Sequence, residues 1–203
     1  MKKVLFTATI DSFVLSFLIP YLKWFKEQGY EVHVASNGES IIPFVDVKHN
    51  IPFERSPYSR KNISAYINLK KVIEENNFSI IHCNTPMGGV LTRLAARKMR
   101  KRGTKVIYTA HGFHFYKGAS LKNWAVYYLI EKWLSKYTDC LITINEEDYR
   151  MCTNNNFKAK SIKIVNGIGI DLNKFQVQTV VNKIQFRKEY GYSEGDFILM
   201  YVA

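Results

Sequence analysis

Val106-Ile107-Tyr108-Thr109-Ala110-His111-Gly112-Phe113-His114-Phe115-Tyr116 is the stretch whose reading decides the fold. A β-branched apolar run ends at Ala110, and two imidazoles then follow on either side of a glycine. A buried strand that opens into a glycine loop places those imidazoles at the carboxyl edge of a sheet. Open α/β folds bind their ligands at that edge. The stretch therefore predicts an enzyme, or half of one, and not a plain scaffold.

Outward from this strand, short β-branched runs alternate with longer amphipathic ones. Strands are expected at residues 3–8, 31–35, 79–83, 105–109, 140–144 and 161–165. Helices are expected over 13–28, 64–77, 88–102, 120–137 and 146–155, with stops at Gly29 and Gly103 and a cap at Ser120. Pro43, Pro52 and Pro57 break the stretch before the second helix, which holds at most a short strand near 51–55. Strands that alternate with helices predict a parallel sheet of right-handed crossover units. Residues 176–192 read as a polar helix, and 197–202 as a fresh apolar strand. A run of that kind needs neighbours on both faces. It is expected either to open a second domain that continues past Ala203 or to form an edge strand.

Composition narrows the class. The chain has 203 residues, 47% apolar and 23% charged, so it can bury a proper core and is not expected to be disordered. A net charge of +12 is unusual. It points to a nucleic acid, a phosphorylated substrate or an anionic membrane surface, with a solvated basic face as the alternative. Cys83, Cys140 and Cys152 lack metal-type spacing and read as reduced thiols of a cytosolic protein. Lys2-Lys3 run straight into strand-like residues without a leader pattern. No apolar run reaches the roughly 18 residues of a membrane span.

The first strand-to-helix turn, Thr7-Ala8-Thr9-Ile10-Asp11-Ser12-Phe13, has no glycine, which disfavours a dinucleotide cradle. Asp11 and Ser12 read either as ligands for a polyhydroxylated substrate or as a helix cap. His82-Cys83-Asn84-Thr85-Pro86-Met87-Gly88-Gly89 leaves a strand and opens a helix, where two glycines allow either close backbone approach to an anion or simply a tight turn. The helix that follows carries Arg93, Arg97, Lys98, Arg100, Lys101 and Arg102. This cluster suits an anionic membrane surface, although cations at a helix end also suit the macrodipole. Its aromatics are not interleaved with the basic residues, which argues against nucleic acid. Trp124, Tyr127, Tyr128 and Trp133, with Leu121, Leu129, Ile130 and Leu134, are expected to be core, an interfacial membrane helix being the alternative.

His111 and His114 have no obvious third metal ligand nearby, so they read as hydrogen-bonding or acid–base groups. Asn145 and Glu146, and the Asn166-Gly167 turn, end the last two strands of the domain. Together these strand ends deliver Asn84, His111, His114, Asn145, Glu146 and Asn166 to one rim able to bond a substrate rich in hydroxyls. Asp11, Ser12, Thr85 and Gly88 are further candidate substrate-binding positions.

Thr109-Ala110-His111-Gly112-Phe113-His114, then Thr138-Asp139 with Ile142-Thr143-Ile144-Asn145-Glu146, and Val165-Asn166-Gly167 followed by Asp171, resemble the N-terminal half of a retaining, family 4 glycosyltransferase of the GT-B fold. The resemblance covers nearly the whole chain. It departs at the first loop, where residues 9–12 replace a Gly-Gly pair, and at the extra Ile168-Gly169. It implies a Rossmann-like, doubly wound parallel sheet over 1–175 that binds the acceptor, with 176–203 as a linker helix and the start of a donor-binding domain. It implies a nucleotide-sugar donor, most often UDP-linked, held by that second domain, and a glycan or lipid-linked acceptor in surface polysaccharide or capsule assembly. His111 would be the catalytic-cleft residue that touches the donor, and no metal or other cofactor is implied. The setting implied is cytoplasmic, peripheral at the inner face of the plasma membrane, where Arg97, Lys98, Arg100, Lys101 and Arg102 would meet the lipid. Two alternatives remain open at this point: a nucleotide-sugar epimerase of the same fold, and a non-catalytic half-subunit that recruits a donor-binding chain to the membrane.

Overall fold

The structure is a computed structural model that describes residues 1–201. Seven parallel strands form one sheet in the order β3-β2-β1-β4-β5-β6-β7: β1 Lys3–Ile10, β2 Glu31–Asn37, β3 Val47–Asn50, β4 Ile80–Cys83, β5 Lys105–Ala110, β6 Cys140–Thr143 and β7 Ser161–Ile164. The chain winds outward one way from β1 through β2 to β3, then returns to β4 and winds the other way. This is the doubly wound α/β sheet expected from the alternation, and its switch point lies between β1 and β4.

Alternation along β1 explains the two layers. Val4, Phe6 and Ala8 face one side and are fully buried with Val32 and Val34 of β2. Helices α1 (Asp11–Phe17) and α2 (Ile19–Glu27) cover them through Val14, Leu18 and Leu22. Leu5 points the other way, with Ile81, Val106, Tyr108 and Leu141 from the neighbouring strands. There α3 (Lys61–Asn76) and α4 (Pro86–Ala95) pack with Ala65, Leu69, Ile73, Leu91 and Ala95.

Several boundaries differ from expectation, each for a local reason. The first helix is two helices, broken at Leu18 because Pro20 supplies no backbone donor. Gly29, at φ +76°, does occupy the left-handed position that ends it. The edge strand β3 lies at Val47–Asn50 and not at 51–55, since Pro52 cannot extend the ladder. The basic helix divides at Ala96 into α4 and a short α5, Arg97–Lys101. Ser120 caps the next helix as expected, accepting a bond from the Asn123 amide at 3.3 Å. That helix runs as α6 (Leu121–Asn123), a π-helical turn over Trp124–Tyr128, and α7 (Leu129–Ser135). Helix α8, Glu146–Asn154, leads to β7.

The expectation that this aromatic helix is core holds only in part. Leu134 is buried, and Trp124, Tyr127 and Tyr128 pack on the core. Leu121, Leu129, Ile130 and Trp133 are exposed.

Met1–Ile168 forms one compact unit, and the chain from Gly169 forms another. The second holds helix α9, Val180–Glu189, capped by the Thr179 hydroxyl. The Arg187 guanidinium donates to the carbonyls of Ser193 and Asp196, closing the turn after it. Residues 197–201 form no strand and pair with nothing among the described residues, and Val202, the end of the expected strand, lies outside the described residues.

Candidate functional site

The cavity at the switch point holds about 340 Å³. Thr9 and Ile10 line it from the end of β1, Phe13 from the first turn of α1, Thr85, Pro86 and Met87 from the β4–α4 turn, and His111 and His114 from the loop after β5. Arg55, Pro57 and Tyr127 complete the wall. Strand order produces this grouping: β1, β4 and β5 are adjacent, so their carboxyl ends converge although they are far apart in sequence.

The β4–α4 turn is the most constrained part of the wall. Thr85 sits at φ 62°, ψ 150°, a region that glycine almost monopolises and that costs another residue about 1–3 kcal/mol. Its hydroxyl holds it there. Oγ1 donates to the Asn84 carbonyl at 2.6 Å and accepts from the Thr9 amide at 3.1 Å and the Thr9 hydroxyl at 2.7 Å. Gly88 is the complement of this arrangement, because a Cβ there would lie 2.6 Å from Thr85 Oγ1. Gly89 plays a packing role on the other side, where a Cβ would meet the Tyr108 ring at 2.5 Å. The glycine pair therefore seats α4 on the sheet.

His111 Nε2 donates to Asn84 Oδ1 at 3.2 Å, and its ring packs edge-on to Phe13. Burial lowers its pKa, which favours the neutral ring and leaves Nδ1 as a hydrogen-bond acceptor. Asn84 is 1% exposed, and its Nδ2 is buried without a partner. His114 packs against Tyr127 in a tilted arrangement, with ring centres 4.9 Å apart. The loop that carries both histidines is pinned from below: the buried Asp148 carboxylate accepts from the Phe113 amide at 3.1 Å and from Asn145 Nδ2 at 2.8 Å. Burial raises the Asp148 pKa against those hydrogen bonds.

Other expected rim residues lie elsewhere. Asp11 is buried, takes a bond from Ser36 Oγ and another from the Ser40 amide, and pairs with Lys48 at 3.0 Å. It is the first residue of α1 and not its cap. Burial works to raise its pKa, but the bonds from Ser36, Ser40 and Lys48 outweigh that and hold the carboxyl below its ordinary range. Ser12 is exposed outside the cavity wall. Asn145 caps α8, its Oδ1 accepting from the Asp148 amide at 2.8 Å. Glu146 pairs with Arg150 one turn on. Asn166 is exposed beyond β7, where Gly167 turns the chain at φ +76°.

The basic cluster also divides. Arg93, on the buried face of α4, is bidentate on Glu131 at 2.9 and 3.0 Å and stacked 3.9 Å over the Tyr108 ring. Arg100 is bidentate on Asp139 at 3.0 and 3.2 Å, and Lys98 pairs with Glu74. Arg97, Lys101 and Arg102 have no carboxylate partner among the described residues. No group of three or more His, Cys, Asp or Glu among those residues could hold a metal ion. None of their helices is long and apolar enough to cross a membrane.

Thr9, Arg55 and Tyr127 were not legible as site residues. Arg55 gave the one usable signal, a lone cation between Pro52 and Pro57.

With the switch-point cavity in place, comparison with known proteins defines the class. The glycosyl transferase 4-like family model matches residues 3–145, and the chain belongs to that family. It is 52% identical over 202 residues to "Putative glycosyltransferase EpsD" of Bacillus subtilis strain 168, covering all of this chain and 53% of that protein. It is 28% identical over 145 residues to the Escherichia coli UDP-Gal:alpha-D-GlcNAc-diphosphoundecaprenol alpha-1,3-galactosyltransferase, covering 70% of this chain and 36% of that one. The chain thus spans about half the length of EpsD. A crystal structure of a UDP-N-acetylglucosamine 2-epimerase superposes with a TM-score of 0.64 at 16% identity, over 88% of this chain and 52% of that chain. At that identity the likeness is one of fold.

Proposed function

We propose that this chain is the acceptor-side half of a retaining hexosyltransferase. It moves a sugar from a nucleotide-sugar donor, UDP-linked in the first instance, to a lipid-linked or glycan acceptor in surface polysaccharide or capsule assembly. Residues 1–175 form the acceptor-binding domain, and 176–203 lead into the donor-binding domain. The protein works at the cytoplasmic face of the plasma membrane, held there peripherally.

The observation that carries this reading is the His111 ring at the mouth of the switch-point cavity, oriented by Asn84 beside the strained Thr85. A neutral imidazole with its Nε2 proton given to Asn84 offers Nδ1 to a sugar hydroxyl. The Thr9 hydroxyl lines the same cavity and, with its proton given to Thr85 Oγ1, keeps its own lone pairs free to accept. The galactosyltransferase relative, by its name, acts on a diphosphoundecaprenol acceptor, which supports a lipid-linked substrate.

Transfer of labelled sugar from UDP-sugars to an undecaprenyl-diphosphate-linked acceptor, by the whole protein carrying this chain, tests the proposal. His111→Ala is expected to lower kcat by roughly 10²–10⁴-fold, the range of a positioned acid–base group. Undiminished transfer removes His111 from the chemistry. Epimerised nucleotide sugar formed without acceptor replaces the transferase with the epimerase reading.

A further inference from the structure

A second cavity, of about 320 Å³, adjoins the first and shares Pro57, Pro86, Met87, His114 and Tyr127 with it. Its own wall is apolar, built from Val90, Phe113, Phe115, Val126 and Ile130. The one carboxylate on it, Glu131, is saturated by Arg93, so no uncompensated charge faces the groove. Its volume lies at the lower end of small-molecule sites, roughly 300–1,000 Å³, which is room for part of a long chain.

The groove opens onto an apolar stripe. Val126, Leu129, Ile130 and Trp133 recur three or four residues apart and are exposed, Leu129 by 59%. Lysines edge that stripe with their charges drawn onto aromatics: Lys136 Nζ lies 4.6 Å over Trp133, and Lys132 Nζ donates to the Tyr128 hydroxyl at 3.1 Å. Lysine stems beside tryptophan and tyrosine, with the charged ends at the edge, suit the boundary between hydrocarbon and lipid headgroups. In the first cavity, two residues before the shared Pro57, stands Arg55, a cation with no ion-pair partner among the described residues.

The order along the surface is therefore cavity with Arg55 and His111, shared histidine wall, apolar groove, exposed apolar stripe. A polyprenyl-diphosphate sugar has the same order of chemistry along its length: sugar, diphosphate, hydrocarbon. Resting on the lipid-linked acceptor reading above, we propose that the groove between α4 and the Val126–Ile130 face holds the first isoprene units of the acceptor's chain. Arg55 and His114 then meet its diphosphate, and the stripe lets the rest of the chain remain in the bilayer.

Binding of inorganic pyrophosphate, geranyl diphosphate and farnesyl diphosphate to the chain, by calorimetry, reads the groove directly. Farnesyl diphosphate is expected to bind roughly tenfold or more tighter than pyrophosphate, with geranyl diphosphate between them. Ile130→Asn and, independently, Val126→Asn are expected to abolish this dependence on chain length and leave pyrophosphate binding in place. Both sites are exposed, and an unchanged circular-dichroism melt confirms that each variant folds. Equal affinity for all three probes overturns the groove. No binding of any probe overturns both the groove and the diphosphate contact. In the whole protein, Ile130→Asn is expected to raise KM for a polyprenyl-linked acceptor and not for a short-alkyl analogue. Absence of transfer to either acceptor by the unmutated protein would fall on the lipid-linked reading beneath this one.

Discussion

Two turns meet at the switch point of this sheet, and they use their polar residues in opposite ways. The turn after β1 spends Asp11 inward, on Ser36, Ser40 and Lys48, and thereby fastens the end of β2 and the edge strand β3. Gly38 faces that carboxylate so closely that a Cβ would lie 2.4 Å from Oδ2. The turn after β4 keeps Thr85 in a strained backbone conformation and leaves a buried Asn84 amide nitrogen unpartnered. Both turns line the cavity, the first through Thr9, Ile10 and Phe13. The first turn's carboxylate is satisfied within the chain and stabilises the fold, whereas the second turn stores strain. A polar residue at the carboxyl edge of a sheet therefore identifies a site only when its bonding capacity is not already consumed within the chain.

Acid should strike both turns at once and by the largest amount. His82, on β4, is pushed down to about 4 by burial and then by the nearby His111. His49, next to Lys48, is pushed down to about 4 by burial and then by His33 and Lys48. Both take up protons more readily when unfolded. Their contribution is therefore complete above pH ~6.5 and declines as pH falls toward about 4, by a few kcal/mol together. Asp11 shifts in the same downward direction, the opposing effect of burial being outweighed by its bonds to Ser36, Ser40 and Lys48, and with the same outcome: stability falls as pH drops through and below 3.8. Urea midpoints measured from pH 7 to pH 3 should fall steadily, and a flat profile would show that neither histidine is neutral by burial.

Asp11→Ala is expected to cost about 3 kcal/mol, because it removes the buried carboxylate that accepts from Ser36 Oγ, the Ser40 amide and Lys48. Gly88→Ala should cost about 2 kcal/mol by forcing the Thr85 hydroxyl from its three partners. Combined with Thr85→Ala, it should cost less than the sum, because the obstructing oxygen is then gone. Thr85→Gly is expected to change stability by no more than about 1 kcal/mol, since relief of positive φ offsets the lost hydroxyl bonds, yet to lower transfer. A large loss of stability at Thr85, or an additive Gly88–Thr85 pair, would erase the contrast between the turns. Asn145→Ala should cost about 1 kcal/mol as a lost helix cap, read from the thermal midpoint.

Legibility followed the range of the interactions. The alternation of strands and helices, the stop at Gly29 and the cap at Ser120 are local, and they stood in the sequence. Pro20 is visible too, but the apolar periodicity on either side of it runs on as one helical pattern. Of the candidate site, His111, His114, Thr85 and Asn84 were legible because they follow buried strands. Asn145 and Glu146 carried the same signature, yet a cap and an i,i+4 pair consume them. The Arg93–Glu131 pair could not be read at all, as its partners stand 38 residues apart.

By itself the sequence determined the layered α/β architecture and the family, since periodicity, punctuating glycines and short motifs act over a few residues. Only the tertiary structure decided which polar groups remain available. That choice depends on strand order, which brings β1, β4 and β5 side by side. It depends equally on burial, which turns Arg93 inward while leaving Val126, Leu129, Ile130 and Trp133 exposed beside the cavity. Whether a side chain is consumed or free is set by neighbours that the chain brings together only when the sheet has closed.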